Sequence, residues 1–138
     1  MLFPAHLLKT KMEQEIEYIW DIVRKKWYVC TPEERVRQGL VMYLILQKNI
    51  PPACIGIEKQ ITYFERKKRF DVVVFDNMGK PYLLCECKAP VIALSQETAY
   101  QICRYNHVLQ APFLLLTNGL EIFCFGKNET EDLVLVEF

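Results

Sequence analysis

Arg69-Phe70-Asp71-Val72-Val73-Val74-Phe75, then Asp76-Asn77-Met78-Gly79-Lys80-Pro81, then Tyr82-Leu83-Leu84-Cys85-Glu86-Cys87-Lys88, is the stretch that decides the fold. Its two outer segments are short, apolar runs of the kind that form buried strands. The middle segment carries Asp, Asn, Gly and Pro together, a dense turn signal, so the two strands should form a hairpin. A turn centred between Met78 and Gly79 sets Asp71 directly opposite Glu86, with Lys88 diagonally nearby on the same face. Ionised groups in buried strands are costly unless paired or bound to a cation. Two like charges directly opposed weaken a sheet. A divalent cation between them converts that weakness into a site.

The chemistry that needs this arrangement is metal-assisted hydrolysis of a phosphodiester. Two carboxylates suit Mg²⁺, a hard ion that takes oxygen ligands and keeps several waters; Mn²⁺ is a substitute. Such an ion polarises the scissile phosphate and makes a water a better nucleophile. The Lys88 ammonium can orient that water or offset charge developing on the phosphate. The plainer alternative is a salt bridge between Asp71 and Lys88 at the sheet end, with Glu86 solvated. An E-x-K triplet alone is common; an aspartate facing it across a hairpin makes it specific.

Asp71 followed by Glu86-Cys87-Lys88 resembles the D…(D/E)-x-K signature of the PD-(D/E)XK nuclease superfamily. Five segments are similar, more narrowly, to the N-terminal nuclease domain of type I restriction enzyme R subunits. They are Pro32-Glu33-Glu34-Arg35-Val36-Arg37-Gln38, Asp71-Val72-Val73-Val74, Glu86-Cys87-Lys88-Ala89-Pro90, Gln101-Ile102-Cys103-Arg104-Tyr105 and Thr117-Asn118-Gly119. The resemblance implies an α/β, restriction-endonuclease-like αβββαβ core with a mixed sheet flanked by helices. It implies a Mg²⁺-dependent endodeoxyribonuclease acting on DNA. It also places an acidic residue from the helix after Thr31 beside the metal, and a Q-x-x-x-Y pair beside the active site. Those systems carry a helicase motor and take sequence recognition from a separate subunit; with no motor in these 138 residues, both are expected from partners supplied in trans.

For the helix acid, Glu34 is the favoured residue and Glu33 the substitute. Thr31-x-x-Glu34 also reads as a capping box, which would use Glu34 structurally. Gln101 and Tyr105 lie four apart and so share a helix face. A glutamine amide can hold a phosphate, and a tyrosine offers a hydroxyl and a stacking ring. Arg66, Lys67, Lys68 and Arg69 make the densest basic run, expected as a turn into the Asp71 strand and as a candidate contact for the DNA backbone. Glu58 and Lys59 could extend that surface. His107, alone near a helix end, reads as structural.

Composition bounds the rest. The chain has 17 basic and 17 acidic residues and is 51% hydrophobic, enough for one core. That balance lacks the strongly basic footprint of a protein whose affinity rests on phosphate contacts. It leaves a second reading open: a catalytically silent nuclease fold used for DNA binding or protein interaction. An RNA substrate also stays open. The six cysteines sit mostly in apolar segments and read as small core hydrophobes in a reducing compartment, with the cytoplasm expected. Cys85-x-Cys87 lacks the second pair or histidine that zinc requires. No apolar run has the length of a membrane span. A homodimer would let two sites cut two strands.

Periodicity then divides the chain into 1–30, a helical extension; 31–125, the core; and 126–138, a C-terminal strand. Ile16, Ile19, Trp20, Ile22 and Val23 fall at helical spacing, so Met12 to Trp27 is expected as a helix. Thr31 and Pro32 open the next helix. Strands are expected from Cys54 to Phe64, in the central hairpin, and at 113–117, 121–125 and 133–136, with a helix from Ser95 to Leu109.

Overall fold

The computed structural model describes residues 2–63, 65–109 and 111–138, with the side chains of residues 63, 66 and 105–109 not described. Its core runs α1 (Pro32–Leu46), β4 (Ile55–Tyr63), β5 (Arg66–Phe75), β6 (Pro81–Cys87), α2 (Gln96–Leu109) and β7 (Phe113–Thr117). That is the expected αβββαβ order. β8 (Ile122–Lys127) and β9 (Leu133–Val136) extend the sheet, whose order is β4-β5-β6-β7-β8-β9. Every neighbouring pair is antiparallel except β6 and β7, which α2 connects as a crossover. One face, with Val72, Val74, Leu83 and Cys85, packs on Val36, Leu40 and Leu44 of α1. The other, with Phe70, Val73, Leu84 and Leu114, packs on Ile102 of α2.

The central hairpin has the expected register: Val72 pairs Cys85, Val73 pairs Leu84 and Val74 pairs Leu83. The register shifts beyond Val74, where Asp76 Oδ1 accepts from the Met78 and Lys80 N–H groups and Gly79 takes φ +77°. Glycine meets that backbone requirement without Cβ strain.

Residues 10–29 depart from expectation. In place of a helix from Met12 to Trp27 there is an antiparallel three-stranded meander: β1 (Thr10–Glu13), β2 (Ile16–Asp21) and β3 (Lys26–Val29). The operative period is two. Ile19 and Asp21 point inward at 0% exposure, while Tyr18, Trp20 and Trp27 lie on the opposite face. Aromatic and β-branched side chains favour that pleated surface. The basic run also differs: residues 66–69 lie within β5, with Thr62, Ile61 and Gln60 opposite Lys67, Lys68 and Arg69, and do not form a turn.

Candidate active site

Asp71 sits where β5 loses its alternation. Phe70 and Val73 belong to the α2-side core, whereas Val72 and Val74 belong to the α1-side core, so the pleat changes phase between them. The β4 ladder is interrupted at the same level, where Glu58 takes φ +50°. This irregularity lets Asp71 be reached from two directions. Its Oδ1 accepts from Arg37 Nη2 at 2.9 Å, and its Oδ2 accepts from the Cys87 backbone N–H at 2.8 Å. The second bond ties the Asp71 carboxylate directly to the Glu86-Cys87-Lys88 segment.

Glu86 and Lys88 line a cleft of about 110 Å³ with Lys68, Thr98, Gln101 and Ile102. Burial, and after it the Asp71 charge, push the Glu86 carboxyl up to about 7, against the lowering effect of Lys68 and Lys88. Lys68 Nζ lies 3.3 Å from Glu86 Oε1. Lys88 has no hydrogen-bond or ion-pair partner among the described residues. Its backbone is fixed, however: Lys88 N–H donates to Thr117 O at 2.9 Å. Asn118 then braces the following loop, donating to Ile92 O and accepting from the Leu120 and Glu121 N–H groups. The Thr117-Asn118-Gly119 segment thus serves as a buttress for the Lys88 backbone.

The larger electrostatic feature is a buried network that sequence reasoning missed. Arg37, 5% exposed, bridges Asp71 and Glu34, with Nη1 donating to Glu34 Oε2. Glu34 Oε1 also accepts from Arg24 Nη2 at 2.9 Å and Gln38 Nε2 at 3.1 Å. Asp21, fully buried in β2, accepts from Arg24 Nε and Gln38 Nε2 and from the Val23 and Arg24 N–H groups. Glu58 approaches Arg24 at 3.6 Å and Arg37 at 3.5 Å. Burial alone would lower the Arg37 pKa, but the charges of Glu34 and Asp71 outweigh it and raise it. With Glu33 at the rim, five carboxylates therefore surround two guanidiniums. The only sequence hint was the spacing of Glu34, Arg37 and Gln38, which places all three on one face of α1.

Of the expected site residues, Asp71, Glu86, Lys88 and Gln101 gather around the sheet end, with Gln101 on α2 across the cleft. Glu34 stands one residue removed from Asp71, behind Arg37. Glu33 is largely exposed and lies 3.7 Å from Arg37. Thr31 Oγ1 accepts from Glu34 N–H at 3.0 Å, so half of the capping box forms, while the Glu34 side chain turns into the arginine network instead of returning to the cap. Lys68 reaches Glu86; Lys67 and Arg69 are exposed on β5. The side chains of Tyr105, Arg66 and His107 lie outside the described residues.

Among the described residues no group of three or more His, Cys, Asp or Glu side chains could hold a metal by protein ligands alone. Two nearby carboxylates with hard oxygen donors, one of them raised by burial and by the other's charge, fit an ion that keeps most of its waters, as Mg²⁺ does. They do not fit a closed structural zinc site. Lys68 engages Glu86 through Oε1, so an ion held by Glu86 competes with that ammonium or uses Oε2.

A strand-rich α/β unit with a mixed sheet and this site at its strand ends is a nuclease-like architecture. The fold is similar to that of a protein from Anabaena variabilis described as a "putative nuclease belonging to DUF820", at 13% identity and a TM-score of 0.52, covering 91% of this chain and 79% of that one. At that identity the likeness concerns the fold alone. The family model for the type I restriction enzyme R protein N terminus matches residues 32–137, and the chain belongs to that family. No curated protein matches the chain. Among the described residues, no helix is long and apolar enough to cross a membrane.

Proposed function

We propose that this chain hydrolyses DNA phosphodiester bonds in a Mg²⁺-dependent reaction, as an endonuclease domain of the type I restriction R-subunit kind. The observation that carries the reading is the clamp on Asp71: Arg37 and the Cys87 N–H hold its carboxylate at the level of Glu86 and Lys88, beside a cleft that Gln101 closes from α2. Asp71 and Glu86 would hold the ion. When bound, Mg²⁺ would polarise the phosphodiester and acidify water. Lys88, with no competing partner among the described residues, orients the attacking water and neutralises charge on the phosphate. Gln101 binds a phosphate oxygen through its amide, and Tyr105, four residues on, would serve beside it. Glu34 acts through Arg37, holding the guanidinium that positions Asp71. The partners would be DNA and, supplied in trans, a motor and a specificity protein.

The test is cleavage of linear, supercoiled and single-stranded DNA with Mg²⁺ or Mn²⁺, wild type beside Lys88→Ala. Removing one preorganised charge of this kind costs about 10²–10³-fold in rate. Wild-type activity retained in Lys88→Ala would sink the mechanism. A specific observation favours a second reading, a silent nuclease fold used for binding: Arg37 and Lys68 already neutralise Asp71 and Glu86. In that case neither protein cuts, and Mg²⁺ does no more to stability than an inert salt.

A further inference from the structure

The outer face of the meander is not used by the site just described, and its residues lie before the stretch matched by the family. Alternation and register place Lys11, Tyr18 and Val29 in one row, and Lys9, Trp20 and Trp27 in the next. The other face is the one that packs inward, through Ile19 and Asp21. The outer face therefore carries three aromatic side chains, each partly exposed, on an open sheet, with Ile16 and Val29 about half exposed at its margin.

Two lysines attend the indoles. Trp20 and Trp27 meet edge to face with centroids 5.3 Å apart. Lys11 Nζ stands 4.5 Å from the Trp27 ring, and Lys9 Nζ stands 5.4 and 5.6 Å from the two indoles. Lys11 also pairs with Glu13 at 2.8 Å. A cross-strand indole pair would help hold the meander, but it needs no flanking ammonium groups to do so. Flat aromatic surface beside cations is the complement of a nucleobase beside its phosphate. The base stacks on the ring and the ammonium moves to the phosphate. Tyr18 and Trp20 are two positions apart, about 6.8 Å along a strand. That is about twice the 3.4 Å separation of stacked bases, as suits a strand whose bases are splayed onto successive side chains.

We propose that the outer face of the β1–β3 meander is a stacking platform for single-stranded DNA, built from Tyr18, Trp20 and Trp27 with Lys9 and Lys11. A duplex buries its base faces and would have to be held through phosphates, for which this face offers two lysines in a chain of zero net charge. Exposed bases supply what the rings can use. The choice of DNA over RNA rests on the proposed nuclease function; the stacking geometry does not. β2 leads from this platform straight into Asp21, whose carboxylate shares Arg24 and Gln38 with Glu34, so a strand bound here is anchored on the framework that supports Asp71.

The chain's two tryptophans are the two platform indoles, so intrinsic emission reads the face directly. The experiment titrates the full chain with oligodeoxythymidylate of about 15 nucleotides, near the upper site size of single-strand binders, with metal chelated. Saturable quenching is expected, and Trp27→Ala should weaken binding, followed by the anisotropy of labelled oligonucleotide, about 5- to 150-fold. The Lys9→Gln, Lys11→Gln double variant should reduce the slope of log K against log salt by about 1.4, two phosphates at about 0.7 each. Circular dichroism checks that each variant folds; if Trp27→Ala does not, the salt slope of the lysine variant decides. Unchanged affinity in a folded Trp27→Ala, an unchanged salt slope, tighter binding of the matching RNA, or emission that changes with protein concentration alone would each overturn the proposal. The last result would assign the face to a second copy of the chain. Chelation removes cleavage from the measurement, so loss of the platform leaves the nuclease test standing, and an inactive nuclease still binds.

Discussion

Asp71 makes one bond to each of two very different neighbours, and the difference matters. The Cys87 N–H is backbone and survives every substitution but proline, whereas the Arg37 guanidinium can be removed. Because Arg37 is buried between Glu34 and Asp71, Arg37→Ala leaves two carboxylates short of their counter-charge. Breaking a buried pair from one side costs about 3–5 kcal/mol. Arg37→Ala should therefore lower stability by about that amount in urea unfolding, and Arg37→Lys should recover little, since an ammonium cannot reproduce the two-sided fork. Glu86 makes a second residue-scale prediction. Its folded carboxyl is raised to about 7, mainly by burial and then by Asp71, from an ordinary value of 4.5. Below both values it is protonated in both states and contributes no pH dependence. As pH rises between them, the unfolded chain ionises while the folded chain resists, so folded stability falls across pH 4.5 to 7. At about 1.4 kcal/mol per unit, the loss is on the order of 3 kcal/mol. Glu86→Gln cannot ionise and should flatten that slope in metal-free urea titrations at pH 5 and 7.5. An equal slope in both proteins would place the pH dependence elsewhere.

At the scale of elements, the meander is the informative case. β1 and β2 are joined by Gln14 and Glu15, at φ +49° and +67°, with Glu13 paired to Ile16. Two consecutive positive φ values in a two-residue loop define a type I′ turn, where Asn-Gly is the favoured pair. Gln14→Asn with Glu15→Gly should stabilise the chain by about 0.5–1 kcal/mol, read as a higher urea midpoint. No change would mean that the turn is held by its neighbours alone. The same loop explains why the segment reads as a helix from sequence. With neither Gly nor Asn at the turn there is no break signal, and Ile16, Ile19, Trp20, Ile22 and Val23 match a helical stripe by accident of composition. The central hairpin was legible because Asp76 to Pro81 punctuates it, and its register carried the Asp71, Glu86 and Lys88 grouping with it. The Arg24–Glu34–Arg37 network was not legible. It joins the β2–β3 turn, α1 and β5 across the chain, and local patterning does not report long-range ion pairing. The phase change at Asp71 was hidden for the same reason: it arises from packing against helices on both sheet faces.

Over the whole molecule, 17 acidic and 17 basic residues cancel, yet the site end of the sheet does not. Asp21, Glu34, Glu58, Asp71 and Glu86 face Arg24, Arg37 and Lys68, with Lys88 adjacent. Full ionisation there leaves more negative than positive charge unless a cation enters, and in the metal-free protein burial, with the Asp71 charge, holds the Glu86 carboxyl near 7. A divalent ion binding the folded chain alone should therefore stabilise the entire fold by mass action. At one hundred times its dissociation constant the gain is about 2.7 kcal/mol. For a domain of this size that corresponds to roughly 10 °C in melting temperature. Calorimetry with Mg²⁺, against NaCl at matched ionic strength, separates a site from general screening, since screening acts equally through either salt. Asp71→Asn should abolish the Mg²⁺-specific increment. Lys88→Ala should leave it intact or slightly larger, because removing a neighbouring positive charge favours cation binding. If Mg²⁺ and NaCl shift the melting temperature alike, the two carboxylates do not bind the ion, and the chain is better described as a nuclease fold that holds DNA without cutting it.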